Sequence, residues 1–183
     1  MTGGPTLVVI DMQQVFGDPA SPWFTPRFAD AEATIAGLVP AFGDRVVFTR
    51  FVAPERPEGA WVPYYEQWPF ALVPADDPIY DLVLAFRDTG HAVVTEPTFG
   101  KWGPSLRDAL RGSTEVVLAG VSTDCCVLST ALSAADAGVH IRVAADACAG
   151  LSDADHQRAL DAMALYAPLV EITDSAAVLD GLR

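Results

Sequence analysis

Lysine is almost absent: ten of the eleven basic residues are arginine, and Lys101 is the exception. A chain that uses arginine nearly everywhere yet keeps one ammonium draws attention to that position. Cysteine is scarce too. Cys125, Cys126 and Cys148 are odd in number and two of them are adjacent, which makes no disulfide framework. No C-x-x-C pair and no Cys/His zinc spacing occurs. Positive charge is lacking overall: a formal net charge of −13 and a pI near 4.3 exclude a phosphate-backbone footprint and an anionic membrane surface as partners. The acidic residues are dispersed, so the charge serves solubility. No apolar run approaches the ~20 residues of a membrane helix. The start, Met1 to Pro5, has no basic flank and runs at once into a strand, so no secretory signal is expected and the expected location is the cytoplasm.

What is present is an alternation of short β-branched runs with helical patterns. The length fits one domain over 1–183. Strands are predicted over 6–10, 45–50, 91–95, 115–119, 140–144 and 169–173. Helices are predicted over 28–39, 79–86, 104–110, 124–137 and 153–166. Residues 51–77, rich in proline and aromatics, read as a long irregular excursion of the kind that is usually functional or contacts a partner. The expected fold class is α/β: a three-layer α/β/α, doubly wound, six-stranded and mainly parallel Rossmann-like sheet. Its sites should lie at the carboxyl ends of the strands.

Two of those strand ends carry candidate chemistry. Asp11 follows the apolar run Thr6 to Ile10, where it either faces a ligand rim or caps a turn. The fourth strand leads into Gly120-Val121-Ser122-Thr123-Asp124-Cys125-Cys126-Val127. Thr123 can cap the following helix and Asp124 suits its first turn. Both cysteines then fall in that first turn, where free amides and the dipole favour a thiolate. The alternative is two small apolar side chains packed on the sheet.

This segment, with Thr130-Ala131 and Ala134 to Gly138 after it, closely resembles the nucleophile signature of the isochorismatase-like cysteine hydrolases. Leu7 to Gln13 with Phe16 is similar to that family's opening motif, and Val143 to Ala149 to its next strand and loop. The resemblance implies Cys126 as nucleophile, Asp11 as general base and later proton donor, and a cis peptide at Val121–Ser122. It also implies an oxyanion hole built from the amides of Ser122 and Cys126. The family's lysine normally ends the third strand, where this chain has Glu96. Lys101 lies five residues on, so either it reaches back to complete an Asp11–Lys101–Cys126 triad or the triad is altered.

Arg50, Phe16 and Trp102 are candidate substrate contacts, Arg50 for a carboxylate or carbamoyl oxygen. The aromatics from Trp61 to Phe70 either wall the pocket or pack on another subunit. The nicotinamidase branch carries an Asp/His cluster after the second strand, and Thr49 to Pro54 has none. His91, His140 and His156 read as surface or strand-edge residues, so no metal and no cofactor is expected. The vinyl-ether-cleaving isochorismatases typically lack the cysteine, and its presence points to attack on a carbonyl. The implied activity is metal-independent, cysteine-dependent hydrolysis of a C–N bond in a small amide, ureido or imide compound through a thioester. The expected partners are a small-molecule substrate and further copies of the chain, with no nucleic acid and no membrane. The alternatives are a non-catalytic binding or assembly protein with an altered triad, and a thiol-redox protein. Adjacent cysteines rarely meet the geometry of an unstrained bridge, which weighs against the last.

Overall fold

The structure is a computed structural model that describes residues 4–183; Met1, Thr2 and Gly3, the head of the segment read as lacking a signal, lie outside the described residues. Six strands form one sheet: β1 (Thr6–Ile10), β2 (Val46–Phe51), β3 (Ala92–Glu96), β4 (Glu115–Val121), β5 (His140–Ala149) and β6 (Val170–Thr173). All pairings are parallel, in the order β3-β2-β1-β4-β5-β6. The helices are α1 (Gln14–Gly17), α2 (Phe28–Phe42), α3 (Trp61–Gln67), α4 (Pro104–Ala109), α5 (Leu128–Asp136), α6 (Asp153–Ala164) and α7 (Ser175–Gly181). Among the described residues no helix is long and apolar enough to cross a membrane.

The period-two alternation of β1 explains the layering. Leu7 and Val9 join the core under α2 and α7, with Ile35, Leu38 and Val178. Val8 and Ile10 join the core on the other face, with Leu106 of α4, Ala131 of α5 and Met163 of α6. Because both faces are covered, every residue of β1 is buried.

The chain winds outward from β1 to β3, then returns to place β4 on the other side of β1. The switch point is therefore between β1 and β4, which brings the residues after Ile10 next to those after Val121. Close approach of these strands requires a glycine at 120. Its φ is 114°, and a Cβ there would lie 2.1 Å from the carbonyl oxygen of Ile10.

Four expectations about local structure need correction. The helix expected over 79–86 is only a 3₁₀ turn at Pro78–Tyr80 followed by turns. Its backbone is used elsewhere: the Asp81 carbonyl accepts from the Gln14 amide at 2.9 Å, and the Val83 amide donates to the Met12 carbonyl at 3.0 Å. The excursion is not structureless, since Trp61, Tyr64, Tyr65 and Trp68 carry the three-and-four spacing of a helical stripe that α3 uses. β5 runs five residues further than expected, to Ala149, past a register shift opposite Leu118 and Gly120. The helix expected from Asp124 starts as a π turn, Thr123–Val127, before α5.

The excursion is held to the sheet by Gln13. Its side-chain amide donates to the carbonyls of Phe51 and Tyr80, both at 2.8 Å, and its oxygen accepts from the Phe51 amide at 2.7 Å. Every polar atom of this buried side chain is thereby used.

Candidate active site

Asp11 is the first residue past β1. Its φ of 48° lies in the left-handed region, which disfavours a residue with a side chain by about 1–3 kcal/mol. The turn is held from β2, where the Thr49 hydroxyl accepts from the Asp11 amide at 3.2 Å and donates to Asp11 Oδ1 at 2.7 Å. Thus Asp11 does not cap a turn of its own; its carboxylate is wholly buried at the switch point.

Lys101 arrives from the turn after β3. Its ammonium lies 3.0 Å from Asp11 Oδ2, donates to the Thr98 carbonyl at 2.6 Å and sits 5.2 Å from the centre of the Phe51 ring. Both charged side chains are fully buried. Glu96, at the position where the related lysine was expected, makes no ion pair among the described residues; its carboxylate lies by Gly103.

Cys126 sits in the π turn beside this pair. Burial is the main influence pushing its thiol well above the ordinary range, and the Asp11 carboxylate adds to it, while Lys101 pulls the other way. Both charges of the buried pair thus act on this one thiol, with opposite signs. The Cys125 and Val127 amides both bond to the Ser122 carbonyl, at 3.2 and 3.1 Å, which leaves the intervening Cys126 N–H clear of that acceptor. The Val121–Ser122 peptide is cis. All three cysteines are free thiols.

Cys125 has different company. It is partly exposed, faces Asp124 Oδ2 at 3.9 Å, and is raised by burial and by that carboxylate. Among the described residues no basic group acts on it. The two adjacent thiols therefore differ in surroundings: one sits with an acid–ammonium pair, the other faces Asp124, with Asp155 adding to the same sign of field.

One residue that the sequence reading placed only within a motif connects the site. Buried Thr130, on α5, accepts from the Lys101 amide at 2.9 Å and donates to the Cys126 carbonyl at 2.7 Å. Thr123, expected to cap the helix, makes no capping bond; its hydroxyl is 2.8 Å from Nδ1 of His156. His156 is accordingly half-buried against the π turn rather than a free surface residue, and burial lowers its pKa.

A cavity of about 280 Å³ opens here. Ser122 and Cys125 form part of its floor, and the rings of Phe16, Trp23, Phe51, Tyr64, Trp68 and Phe99 form most of its walls. The aromatic segment of the excursion thus packs within its own chain around the cavity. The Tyr64 hydroxyl is pushed up to about 12, chiefly by burial and then by the fields of Cys125 and Cys126.

Two expected substrate contacts are displaced. Thr49 and Phe51 point to the site, so by strand alternation Arg50 points away. Its guanidinium reaches Thr95 Oγ1 at 3.4 Å and borders a separate depression with Asp81 and His91. Trp102 packs against the core under α4 and is not part of the cavity wall. Another depression, of about 470 Å³, lies at the opposite, amino-terminal end of the strands, among Thr6, Val46 and Ala92, far from this chemistry.

Solved structures share this fold. The structure of a cysteine hydrolase from Pseudomonas syringae superposes with a TM-score of 0.87 at 20% identity, over 100% of this chain and 95% of that one. A pyrazinamidase from Pyrococcus horikoshii, solved in complex with zinc, superposes with a TM-score of 0.75 at 24% identity, over 94% and 99%. Among the described residues no three His, Cys, Asp or Glu side chains cluster as they would around a metal ion. Isochorismatase domain-containing protein 2 from Xenopus laevis is 35% identical over 72 residues, which is 38% of this chain and 35% of that protein. The isochorismatase domain model matches residues 5–177, nearly the whole length, and the chain belongs to the isochorismatase family.

Proposed function

We propose that the chain is a cysteine hydrolase that cleaves the C–N bond of a small amide, ureido or imide compound. The observation that carries this reading is the buried Asp11–Lys101 pair, 3.0 Å apart, beside the Cys126 thiol at the switch point of the sheet. The pair supplies what a neutral buried thiol lacks: a proton acceptor, and a cation that favours the thiolate.

In this mechanism Asp11 takes the Cys126 proton as the sulfur attacks the substrate carbonyl carbon. A C–S bond forms and the carbonyl oxygen becomes an oxyanion, held by the amides of Ser122 and Cys126. The oxyanion collapses, the C–N bond breaks, and protonated Asp11 delivers its proton to the leaving nitrogen. A water then enters and gives a proton to Asp11 while its oxygen attacks the thioester. Collapse of that second intermediate breaks the C–S bond, and the sulfur recovers the proton from Asp11. The products are the amine or ammonia and the acid, and no metal takes part in any step.

The test is turnover of an amide and carbamoyl panel by the wild type, Cys126→Ala and Cys125→Ala, with intact-mass analysis of acid-quenched reactions. The expected result is loss of at least about 100-fold in Cys126→Ala, an acyl adduct on the Cys126 peptide, and retained activity in Cys125→Ala. Full activity in Cys126→Ala, or an adduct on Cys125, would overturn the assignment.

A further inference from the structure

Two connections at the carboxyl ends of the strands meet beside the cavity, and one carboxylate joins them. Asp124, in the π turn after β4, accepts from the Leu151 amide at 3.2 Å through Oδ1, and the Cys125 thiol faces its Oδ2 at 3.9 Å. Leu151 belongs to the connection between β5 and α6. That connection passes very close: a Cβ on Gly150 would lie 2.7 Å from Asp124 Oδ1 and 3.0 Å from the His156 backbone nitrogen, so a side chain there would force the two connections apart. Further along, the neighbouring turn residue makes a second tie, since the Thr123 hydroxyl is 2.8 Å from Nδ1 of His156. Both partners of Asp124 border the cavity, Cys125 on its floor and Leu151 on its wall, while Asp124 itself does not line it. Among the described lining residues, Pro22 and Leu151 are the exposed ones, Leu151 at 53%. They therefore stand at its mouth. Pro22 is the stiff side, because its φ is fixed by the ring. Leu151 is carried on a connection whose place depends on the Asp124 bond.

We propose that Asp124 is a positioning residue that sets the width of the cavity mouth, holding Leu151 where it admits slender acyl groups and turns away bulky ones. The proposal rests on the hydrolase reading above and adds a rule of substrate selection to it. The selecting contact is steric and is made by Leu151; the bond that places Leu151 is polar and comes from a residue outside the cavity lining. The same carboxylate also acts on Cys125, whose thiol is raised by burial first and by Asp124 next. The two effects are separable. Holding the Leu151 amide needs an acceptor oxygen at this position, whereas the field on Cys125 needs a charge. Asparagine supplies the first without the second.

Alkylation of Cys125 on the cavity floor reads the mouth without needing a substrate. Full-length Cys126→Ala protein is treated with N-ethylmaleimide and with N-cyclohexylmaleimide, labelling is followed on the Cys125 peptide, and each rate is divided by that of glutathione with the same reagent. The expected penalty for the cyclohexyl reagent is at least about 10-fold. Adding Leu151→Ala, a change at an exposed side chain, shrinks the penalty several-fold, and so does adding Asp124→Ala. Combining the two shrinks it no further than Leu151→Ala does, because both act through one contact. Asp124→Asn keeps the penalty while moving the pH profile of labelling to lower pH. If Asp124→Ala does not fold, Asp124→Leu, which is close in size and has no acceptor, takes its place. The proposal is overturned by an absent penalty in the Cys126→Ala parent, by an unchanged penalty in either single addition, by additive effects in the combination, or by a lost penalty in Asp124→Asn. Failure of the hydrolase reading shows separately, as absent turnover of the amide panel by the wild type.

Discussion

Oδ2 of Asp11 and the ammonium of Lys101 lie 3.0 Å apart with neither side chain exposed. The ammonium also donates to the Thr98 carbonyl at 2.6 Å. Lys101 is thereby fixed from two sides, and its charge faces the Asp11 carboxylate out of reach of water.

Removing one member of such a pair strands the other. Lys101→Met should cost about 3–5 kcal/mol of stability, because Asp11 would remain buried without its counter-charge. Activity should fall at least about 100-fold. Asp11→Asn combined with Lys101→Met should recover much of the stability and none of the activity. Urea unfolding with a turnover assay on the three variants measures both. Normal stability in the single variant would show that the pair contributes little.

The same two charges act on Cys126 with opposite signs. Asp11 helps burial raise the thiol and Lys101 lowers it, while the thiolate is the form that reacts with an alkylating agent. The pH profile of Cys126 alkylation should therefore move to lower pH in Asp11→Asn and to higher pH in Lys101→Met. Peptide-resolved iodoacetamide labelling across pH checks this; shifts in the same direction in both variants would contradict the geometry.

Much of this arrangement was legible in the chain. The β-branched runs, the strand-end aspartate and the tandem cysteines placed the sheet and located Asp11 and Cys126, because they are local patterns with fixed periods. Lys101 was legible as the one ammonium in an arginine-rich chain, but its approach to Asp11 depends on how the turn after β3 folds. Arg50 misled because a strand end says that a residue is near the rim without saying which face it takes. The helix expected over 79–86 failed for a similar reason: long-range bonds to Met12 and Gln14 took over a backbone whose local pattern favoured helix. Gln13 and Thr130 were legible only as members of motifs, since what they do depends on partners such as Phe51 and Lys101, 38 and 29 residues away.

Thr130 joins the two halves of the site through one hydroxyl. Thr130→Val keeps the shape and leaves the Lys101 amide and the Cys126 carbonyl without that partner, at about 1–3 kcal/mol for each group that stays unsatisfied. Turnover should fall more than about 10-fold with little change in KM, because the strut positions the reacting groups and does not touch substrate. Thr130→Ser should stay close to the wild type. A KM effect alone, or equal losses in both variants, would remove the positioning role.

Cys148, at the buried end of β5, gives the protein a measurable alkaline weakness. Burial pushes its thiol from an ordinary value of 9.0 up to about 12, although the Gly120 amide partly opposes this. A raised thiol keeps its proton in the folded chain while the unfolded chain has already released it. Its contribution to stability is therefore complete below the ordinary value, and it is lost as pH rises from there towards about 12. The slope from this one group approaches about 1.4 kcal/mol per pH unit across that window. Cys148→Ala should be less stable at neutral pH, because it loses packing, but its stability should fall less steeply with alkali. Tyr64, also raised to about 12, keeps the remaining slope from reaching zero. Urea midpoints taken at intervals through this window decide it: parallel curves for Cys148→Ala and wild type would mean that Cys148 titrates as an ordinary thiol and is not sealed from water.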